Sequence, residues 1–387
     1  MGKTRGGEVS GIKRRISEEL EEITARGLMR CLSPPRGLDF SSNDYLGLAQ
    51  NKNIGKAFIK GVKKHGVGSS GSRLLRGERD VFSEVEIDFA AWKVTESSLY
   101  FATGYQANIG IFQTFLREGD VVFSDELNHA SIIDGIRLGK ARKIVYPHLD
   151  LERLEEFLSS PDPAGEKFVV TESLFSMDGD IAPLDKIAAV THKYGANLIV
   201  DEAHAVGLYG ATGSGLIEEF DIGKEVFLSV NTAGKALGVS GAFVAGDETI
   251  IQYLVNRCRS FIFSTAPVPA AAAAIREAIK YVSSNPKLRR RHREICTAFA
   301  DLMGGHKLEV PRNSTHIVPV LIGDSKKALR VAESMQSRGF DVRAIRPPTV
   351  PPGTSRLRIS LNTKHSDSDL EAFVGILADV LDSEGQG

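Results

Sequence analysis

The sequence predicts an α/β fold in which a mostly parallel sheet is covered by helices on both faces, followed by a smaller α+β C-terminal domain. Between residues 98 and 246, short apolar runs of the kind that form buried strands alternate with segments that have helical periodicity. Several of these runs end in polar residues, and open α/β sheets bind their ligands at the carboxyl ends of the strands. After about residue 275 the regular alternation stops, which indicates the second domain.

Length and composition are those of an ordinary globular protein. The 387 residues are 42% hydrophobic and 25% charged, enough for two or three domains. A formal net charge of -1 favours no nucleic-acid partner. The three widely spaced cysteines form no metal-ligand pattern, so no metal is expected, and they fit a reducing compartment. The sequence contains neither a membrane-spanning apolar run nor the apolar core of a secretory signal, so we expect a cytoplasmic protein without a membrane partner.

The first residues predict an N-terminal arm that contains one helix. Apolar residues recur at helical spacing from Ile12 to Ile23, and the pattern predicts an amphipathic helix that runs to about Arg30. Residues 34–37, PPRG, break it. Residues 40–48, FSSNDYLGL, suit either a surface turn or a loop that lines a cleft, and the residue types alone favour the turn.

The predicted elements divide the chain into an arm (1–48), a large domain (49–275) and a small domain (276–387). A basic run at 288–293 is expected on the solvated face of a long helix in the small domain. Helices of the large domain are predicted at 81–92, 151–158 and 181–194. Strands are predicted at 98–102, 120–124, 143–146, 168–173, 198–201 and 226–230, and in the small domain at 316–322, 342–345 and 356–360.

Two short motifs suggest functions that their surroundings exclude. Residues 66–71, GVGSSG, have the glycine spacing of a dinucleotide-binding loop, which directly follows a strand. Here the charged residues 63–65 precede it, so we interpret it as a Gly/Ser loop and reject a NAD-binding dehydrogenase. Residues 201–204 spell DEAH, but the phosphate loop that a helicase needs is missing from the sequence.

A lysine, an acid and a histidine are expected to converge at the carboxyl edge of the sheet. Asp201 ends one predicted strand, His204 follows three residues later, and Lys235 lies just beyond the next strand. A lysine amine can hold an aldehyde cofactor as a Schiff base, while an acid keeps a ring nitrogen protonated so that the ring accepts electrons. Singly, Asp201 could be a helix N-cap and Lys235 a surface residue. Together the three indicate pyridoxal 5′-phosphate (PLP).

Two further features fit a phosphorylated cofactor. Residues 103–108, TGYQAN, lead from a predicted strand into a helix, and such a turn presents backbone N–H groups and a positive helix end to a phosphate. His129 lies just beyond another predicted strand. A histidine in such a loop is more often a hydrogen-bonded or surface residue, and the functional alternative is an imidazole stacked on the cofactor ring.

These motifs together resemble the α-oxoamine synthases, fold-type I PLP-dependent transferases that condense an amino acid with an acyl-CoA. The resemblance runs from about Leu38 to Ser360. Residues 345–351 are most similar to the member that serves biotin biosynthesis, which implies L-alanine and pimeloyl-CoA as substrates. The matching stretches are FSSNDYLG at 40–47, FSMDGDIAP at 175–183, GKALGVSG at 234–241 and IRPPTVP at 345–351.

The resemblance implies a role for each matching residue. Lys235 would bind the cofactor covalently and move the Cα proton, Asp201 would pair with the pyridinium nitrogen, and His129 would stack on the ring. His204 and Ser176 would bond near its phenolic oxygen. Phosphate contacts are implied for Gly104, Tyr105, Thr232, and for Ser264 and Thr265 reaching from the other subunit of a homodimer. Substrate contacts are implied for Arg30, Asn43, Thr349 and Arg356, the last gripping the amino-acid carboxylate.

Alternatives remain open within and outside this family. A glycine-using member, such as glycine C-acetyltransferase or 5-aminolevulinate synthase, would share most of the motifs, and serine palmitoyltransferase is a more distant option. The sequence does not resolve the amino-acid pocket or the acyl channel that would separate them. A catalytically silent binding subunit is expected to have lost the lysine or the aspartate, and this sequence has both.

Overall fold

The structure, a computed structural model, describes residues 11–160, 164–309, 311 and 315–385. Its strands are β1 (Leu38–Asp39), β2 (Ser97–Phe101), β3 (Val121–Asp125), β4 (Arg142–Tyr146), β5 (Lys167–Glu172), β6 (Asn197–Asp201), β7 (Val226–Thr232), β8 (Ala242–Gly246), β9 (Ile317–Gly323), β10 (Phe340–Asp341), β11 (Arg343–Ile345) and β12 (Ser355–Ser360). Its α-helices are α1 (Gly11–Ala25), α2 (Lys52–His65), α3 (Asp80–Lys93), α4 (Gly104–Phe115), α5 (Ala130–Leu138), α6 (Leu151–Leu158), α7 (Leu184–Lys193), α8 (Leu216–Glu219), α9 (Glu248–Arg257), α10 (Arg259–Ile262), α11 (Pro269–Ser283), α12 (Pro286–Gly305), α13 (Ser325–Ser337) and α14 (Asp367–Gly385).

A seven-stranded sheet, in the order β2-β8-β7-β6-β5-β3-β4, forms the centre of the molecule. The five strands from β7 to β4 are parallel. β8 runs antiparallel to both of its neighbours, β7 and β2. This confirms the predicted α/β fold with a mostly parallel sheet, and it places the ends of β3, β5, β6 and β7 along one edge.

Apolar side chains on both faces of this sheet form two cores. Successive side chains of a strand point to opposite faces, so Val121 and Phe123 of β3 join one core while Val122 joins the other. Helices α3, α6, α7 and α11 cover the first face, and α4, α5, α9 and α10 cover the second. With both faces buried, the edge at which the parallel strands end is the natural place for a ligand.

A three-stranded antiparallel sheet, β11-β12-β9, organises the C-terminal part of the chain. Its apolar cluster also contains Phe40 from the N-terminal segment. The preceding strand, β1, pairs in parallel with β10 in a separate two-stranded sheet, so the N-terminal segment is joined to the C-terminal part of the chain by this pairing and by the shared apolar cluster. The division into an arm and two domains stays a prediction.

Two local predictions about charged segments were wrong. Helix α1 ends at Ala25 instead of near Arg30, because Gly27 adopts a left-handed conformation (φ 65°) and closes the helix. The basic run does lie on a long helix, α12, but Arg289 and His292 within it are buried. Arg289 is stabilised there because it donates to the carbonyl oxygen of Val282 at 2.7 Å.

In the part of the chain that the structure describes, none of the helices combines the length and the apolar character needed to cross a membrane.

Candidate active site

A cavity of about 490 Å³ lies where β2, β3, β6 and β7 end. Its walls come from the segments that follow these strands and from the N-terminal segment. Eight of the residues predicted from the sequence line it, namely Asn43, Gly104, Tyr105, His129, Asp201, His204, Thr232 and Lys235. A larger groove of about 980 Å³ between α2, α3 and α11 contains none of these residues.

Lys235 stands on the tight connection between β7 and β8. The loop is closed by a hydrogen bond from the Ala233 N–H to the Gly241 carbonyl at 2.9 Å. Gly238, at φ 68°, is required there, since a Cβ would lie 2.5 Å from the backbone nitrogen of Ala49. Burial lowers the pKa of Lys235 to about 8, although the negative charge of Asp201 opposes the shift. A substantial fraction of the amine is therefore free near neutral pH and can act as a nucleophile or base.

Asp201, the last residue of β6, is held in one orientation by two donors. The side-chain amide of Asn108 donates to Oδ2 at 2.8 Å, and the backbone N–H of Ala203 donates to Oδ1 at 2.9 Å. The carboxyl group is buried and faces the cavity. This arrangement suits pairing with a cationic ring nitrogen.

A second carboxyl group, Glu172, lies beside Asp201 on the neighbouring strand. Burial raises the pKa of Glu172 well above its usual range, and the charge of Asp201 raises it further. Its Oε1 is buried, and the described residues provide no hydrogen-bond partner for this atom. Glu172 is therefore the neutral acid and Asp201 the carboxylate of the two.

His204 connects Lys235 to the N-terminal segment. Its Nε2 lies 2.7 Å from the Lys235 Nζ, and its Nδ1 lies 2.6 Å from the Tyr45 hydroxyl. Burial lowers the pKa of His204 well below its usual range, and the positive charges of Lys235 and Arg358 add to the shift. The imidazole is therefore neutral in the folded protein.

His129 caps helix α5, and its ring lines the cavity. The Nδ1 accepts from the backbone N–H of Ser131 at 3.2 Å and contacts the Ser131 hydroxyl at 2.8 Å. Burial lowers the pKa of His129. His129 is thus a hydrogen-bonded residue that also faces the cavity, and its stacking on a cofactor ring stays a prediction.

The first turn of helix α4 opens into the same cavity. Thr103 caps the helix by accepting from the backbone N–H of Gln106 at 3.1 Å. Because residue 104 is a glycine, the end of the helix can lie close to β7. A Cβ at this position would lie only 2.6 Å from the Thr232 Cγ2. Tyr105 is partly exposed, and its hydroxyl bonds to Asp134. A helix N-terminus of this kind suits a phosphate group.

The donor set of the cavity fits PLP. The α4 N-terminus would receive the phosphate, Asp201 would face the ring nitrogen, and Lys235 would meet the aldehyde carbon. The cavity also has room for such a group, which would rest against His129.

The structure engages Arg356 differently from the predicted substrate contact. Its guanidinium pairs with Asp178 and donates to the Thr354 carbonyl at 3.1 Å. Arg358, two residues further along β12, instead reaches Asn43 at 3.2 Å and the Tyr45 hydroxyl at 3.4 Å. The role of Arg356 stays a prediction, and Arg358 is a candidate that lies closer to the cavity residues.

Arg30 and Thr349 meet each other outside the cavity. The Arg30 Nη2 lies 3.5 Å from the Thr349 hydroxyl and 3.3 Å from the Pro347 carbonyl. Neither residue lines the cavity. The structure therefore brings together two predicted substrate contacts that are 319 residues apart in sequence, and their role stays a prediction.

Three further predicted residues lie outside the cavity of their own chain. Ser176 is buried, and its carbonyl accepts from the Arg358 Nε at 2.6 Å. Ser264 and Thr265 follow α10 and are at least partly exposed. Their predicted contribution to the site of a partner subunit stays a prediction.

Sequence reasoning missed four residues that complete the site: Tyr45, Asn108, Glu172 and Arg358. Tyr45 stood within a quoted motif without a role. Arg358 could have been found from strand alternation, since residues i and i+2 of a strand share a face. For Asn108 and Glu172 the sequence offered no comparable signal, because their contacts with Asp201 depend on how the helix and strands pack.

Comparison with known proteins places these observations in one family. Residues 35–377 match the family described as aminotransferase class I and II. The chain is 41% identical over 380 residues to the 8-amino-7-oxononanoate synthase of Geobacter sulfurreducens, covering 94% of this chain and 97% of that protein. Among solved structures, serine palmitoyltransferase from S. paucimobilis, with PLP and myriocin bound, gives a TM-score of 0.90 at 26% identity over 98% of this chain and 100% of that chain. The 8-amino-7-oxononanoate synthase from Francisella tularensis gives a TM-score of 0.79 at 30% identity, covering 90% of this chain and 99% of that chain.

Proposed function

We propose that this chain, which belongs to the aminotransferase class I and II family, catalyses the decarboxylating condensation of L-alanine with pimeloyl-CoA. The products would be 8-amino-7-oxononanoate, CoA and CO2, which places the reaction in biotin biosynthesis. The relatives confirm the resemblance to the α-oxoamine synthases, the fold-type I transferase fold and PLP as the cofactor. The observation that carries the proposal is Lys235, an amine with a pKa of about 8 between a buried carboxylate and a neutral histidine.

PLP, when bound, supplies an acceptor for the electron pair left on the amino-acid Cα. Lys235 provides the free amine that takes the Cα proton, which its lowered pKa makes possible near neutral pH. Asp201 would hold a proton at the ring nitrogen, because its carboxylate is buried and fixed by two donors.

A guanidinium is well suited to bind the substrate carboxylate. Arg356 was the sequence candidate, and its pairing with Asp178 would have to open for this purpose. Arg358 has no acidic partner, since its guanidinium donates to the Ser176 carbonyl and to the neutral side chains of Asn43, Tyr45 and Ser360. We therefore assign the carboxylate contact to Arg358 and leave Arg356 as the alternative.

A homodimer is part of the proposal, with Ser264 and Thr265 reaching the phosphate of the other subunit's cofactor. In support, neither residue lines the cavity of its own chain. A cytoplasmic location fits the three cysteines, for which no disulfide is formed.

The amino acid is the point on which the rival functions differ. The fold alone matches serine palmitoyltransferase with a higher TM-score than the 8-amino-7-oxononanoate synthase, whereas the sequence identity favours the latter. Serine and glycine are therefore the substrates against which L-alanine must be tested.

The test is to follow the cofactor absorption of the purified holoenzyme during separate titrations with L-alanine, glycine and L-serine, each followed by pimeloyl-CoA. We expect the spectrum to respond to L-alanine, and mass spectrometry to detect 8-amino-7-oxononanoate only in that mixture. A response to glycine or serine alone, without an effect of pimeloyl-CoA, would contradict the proposal and indicate a relative with another substrate.

A further inference from the structure

We infer that Tyr45 is a positioning residue, whose hydroxyl fixes the hydrogen of the His204 ring on Nδ1 so that Nε2 faces Lys235 as an acceptor. The inference rests on the proposed function only in that Lys235 and His204 belong to its site. It concerns the direction of each hydrogen bond in the chain Lys235–His204–Tyr45–Asn43.

Tyr45 is fully buried and cannot exchange its partners for water. Its hydroxyl lies 2.9 Å from the Asn43 side-chain oxygen, 2.6 Å from the His204 Nδ1 and 3.4 Å from the Arg358 Nη2. Its ring packs edge-on against His316, with ring centroids 4.2 Å apart. The hydroxyl is therefore held among three polar neighbours and has a single hydrogen to give.

Arg358 determines where this hydrogen goes. A guanidinium has only donors, and the Arg358 Nη2 lies 3.2 Å from the Asn43 side chain, so the amide must present its oxygen there. The same oxygen faces Tyr45 and can only accept. Tyr45 therefore donates its hydrogen to Asn43, and its own oxygen is left to accept from His204.

The hydrogen on His204 follows from this direction. A neutral imidazole carries one hydrogen, and His204 is neutral because burial and the positive charges of Lys235 and Arg358 disfavour the cation. Since Nδ1 must donate to the Tyr45 oxygen, Nε2 carries a lone pair. This lone pair faces the Lys235 Nζ at 2.7 Å and accepts one of its hydrogens.

The consequence for Lys235 is geometric. The Lys235 side chain lines the cavity. When its free amine donates a hydrogen to His204, the lone pair of the amine does not point towards His204 and stays available. The opposite tautomer would donate from Nε2 to that lone pair and occupy it. Tyr45 thus keeps the nucleophilic electron pair of Lys235 available without touching the cofactor or the substrate.

The inference is tested with the full chain freed of cofactor, as wild type, Tyr45→Phe and Tyr209→Phe. Tyr209 is the matched control, because it is another largely buried tyrosine near His316 and contacts His204 through no described hydrogen bond. Long-range ¹H–¹⁵N spectra, which distinguish the two neutral tautomers, are assigned for His204 by a His204→Gln variant. The second readout is the rate at which added PLP becomes linked to Lys235, trapped with borohydride.

At pH 9, above the Lys235 pKa of about 8, the amine is mostly free. Under this condition we expect an Nδ1–H signal for His204 in wild type and in Tyr209→Phe, and its loss in Tyr45→Phe. The rate of PLP linkage should fall about 5- to 10-fold in Tyr45→Phe only, since the amine lone pair is then partly occupied. Asn43→Asp keeps an acceptor beside Tyr45 and should therefore retain the Nδ1–H signal. This second variant keeps the inference testable if Tyr45→Phe does not fold.

An Nε2–H signal in wild type, or an unchanged spectrum in Tyr45→Phe, would overturn the inference. These outcomes are independent of the substrate. A protein with the expected tautomer that does not condense L-alanine with pimeloyl-CoA would refute the proposed function and leave the role of Tyr45 intact.

Discussion

Two histidines near the same edge of the central sheet have opposite charge states. His204 is neutral because it is buried beside the cations Lys235 and Arg358. His148, beyond β4, lies between two carboxylates, with Nδ1 2.9 Å from Asp125 and Nε2 2.8 Å from Asp180. Burial alone would lower the pKa of His148, but the hydrogen bonds to both acids outweigh it and raise the pKa to about 10.

The difference shows that two neighbouring carboxylates can outweigh the effect of burial on the pKa of a histidine, whereas neighbouring cations add to that effect. His148 is a cation at neutral pH that joins the end of β3 to the loop at 175–183, and its role is structural. His204 is a neutral ring beside a reactive amine, and its role is chemical. Substitutions around His204 should therefore affect activity, whereas substitutions around His148 should affect stability.

The largest effect is expected on the His204 side, from Lys235→Ala. Activity should fall by at least about 10³-fold, because both the covalent attachment of PLP and the Cα base are removed. PLP should still bind weakly through the remaining contacts but form no borohydride-trappable link, as measured by mass spectrometry. Lys193→Ala, at an exposed ion pair with Glu155, is the control. Turnover retained in Lys235→Ala would refute the assignment.

On the other side, His148→Gln should affect stability, with a loss of about 3 kcal/mol near pH 6.5, because it leaves the buried Asp125 without its cation. The pKa of His148 is raised in the folded protein, so its contribution is complete below pH 6.5 and is lost as the pH rises towards 10. Urea unfolding at pH 6.5, 8 and 9.5 measures this.

The difference between wild type and His148→Gln should shrink over this series. A constant difference across the three pH values would mean that His148 is not a cation, and the contrast with His204 would disappear.

The smallest effect is expected from Glu172→Gln. This substitution extends the comparison of charge states from the two histidines to the carboxyl groups of Glu172 and Asp201. Glu172 is the neutral acid of the pair with Asp201, and glutamine has the same charge and nearly the same shape. We expect kcat/KM to change by less than about 3-fold, whereas Asp201→Asn should reduce it by more than about 100-fold. Equal losses in both variants would show that Glu172 is ionised.

The sequence predicted those parts of the structure that depend on local pattern. Six of the seven strands of the central sheet were predicted, and β8 was missed. The polar residues Lys235, Asp201, His204 and His129, which follow or end predicted strands, meet in one cavity. The charge states could not be predicted, since that of His204 depends on Arg358 and that of His148 on Asp125 and Asp180, and only the fold brings these residues together.

Long-range contacts account for most of the rest. Arg356 and Arg358 share a strand face and a residue type, and only the position of Asp178 shows which of them is already paired. Helix α1 ends at Ala25 because of the left-handed conformation of Gly27, which helical periodicity does not predict. Arg289 is buried because distant carbonyl groups accept its hydrogens.

The pairing of β1 with β10 sets an order for events on the ribosome. The segment that carries Asn43 and Tyr45 is translated early. The Ser41 hydroxyl in this segment can form its hydrogen bond with the Asp341 carbonyl only after another 300 residues have been translated. At roughly 5–20 residues per second this interval is about 15 to 60 s. Tyr45 and His204 are both translated before β10, but the strand pairing that holds the Tyr45 segment in place becomes possible only once translation has passed β10. The completed site therefore depends on residues from both ends of the chain.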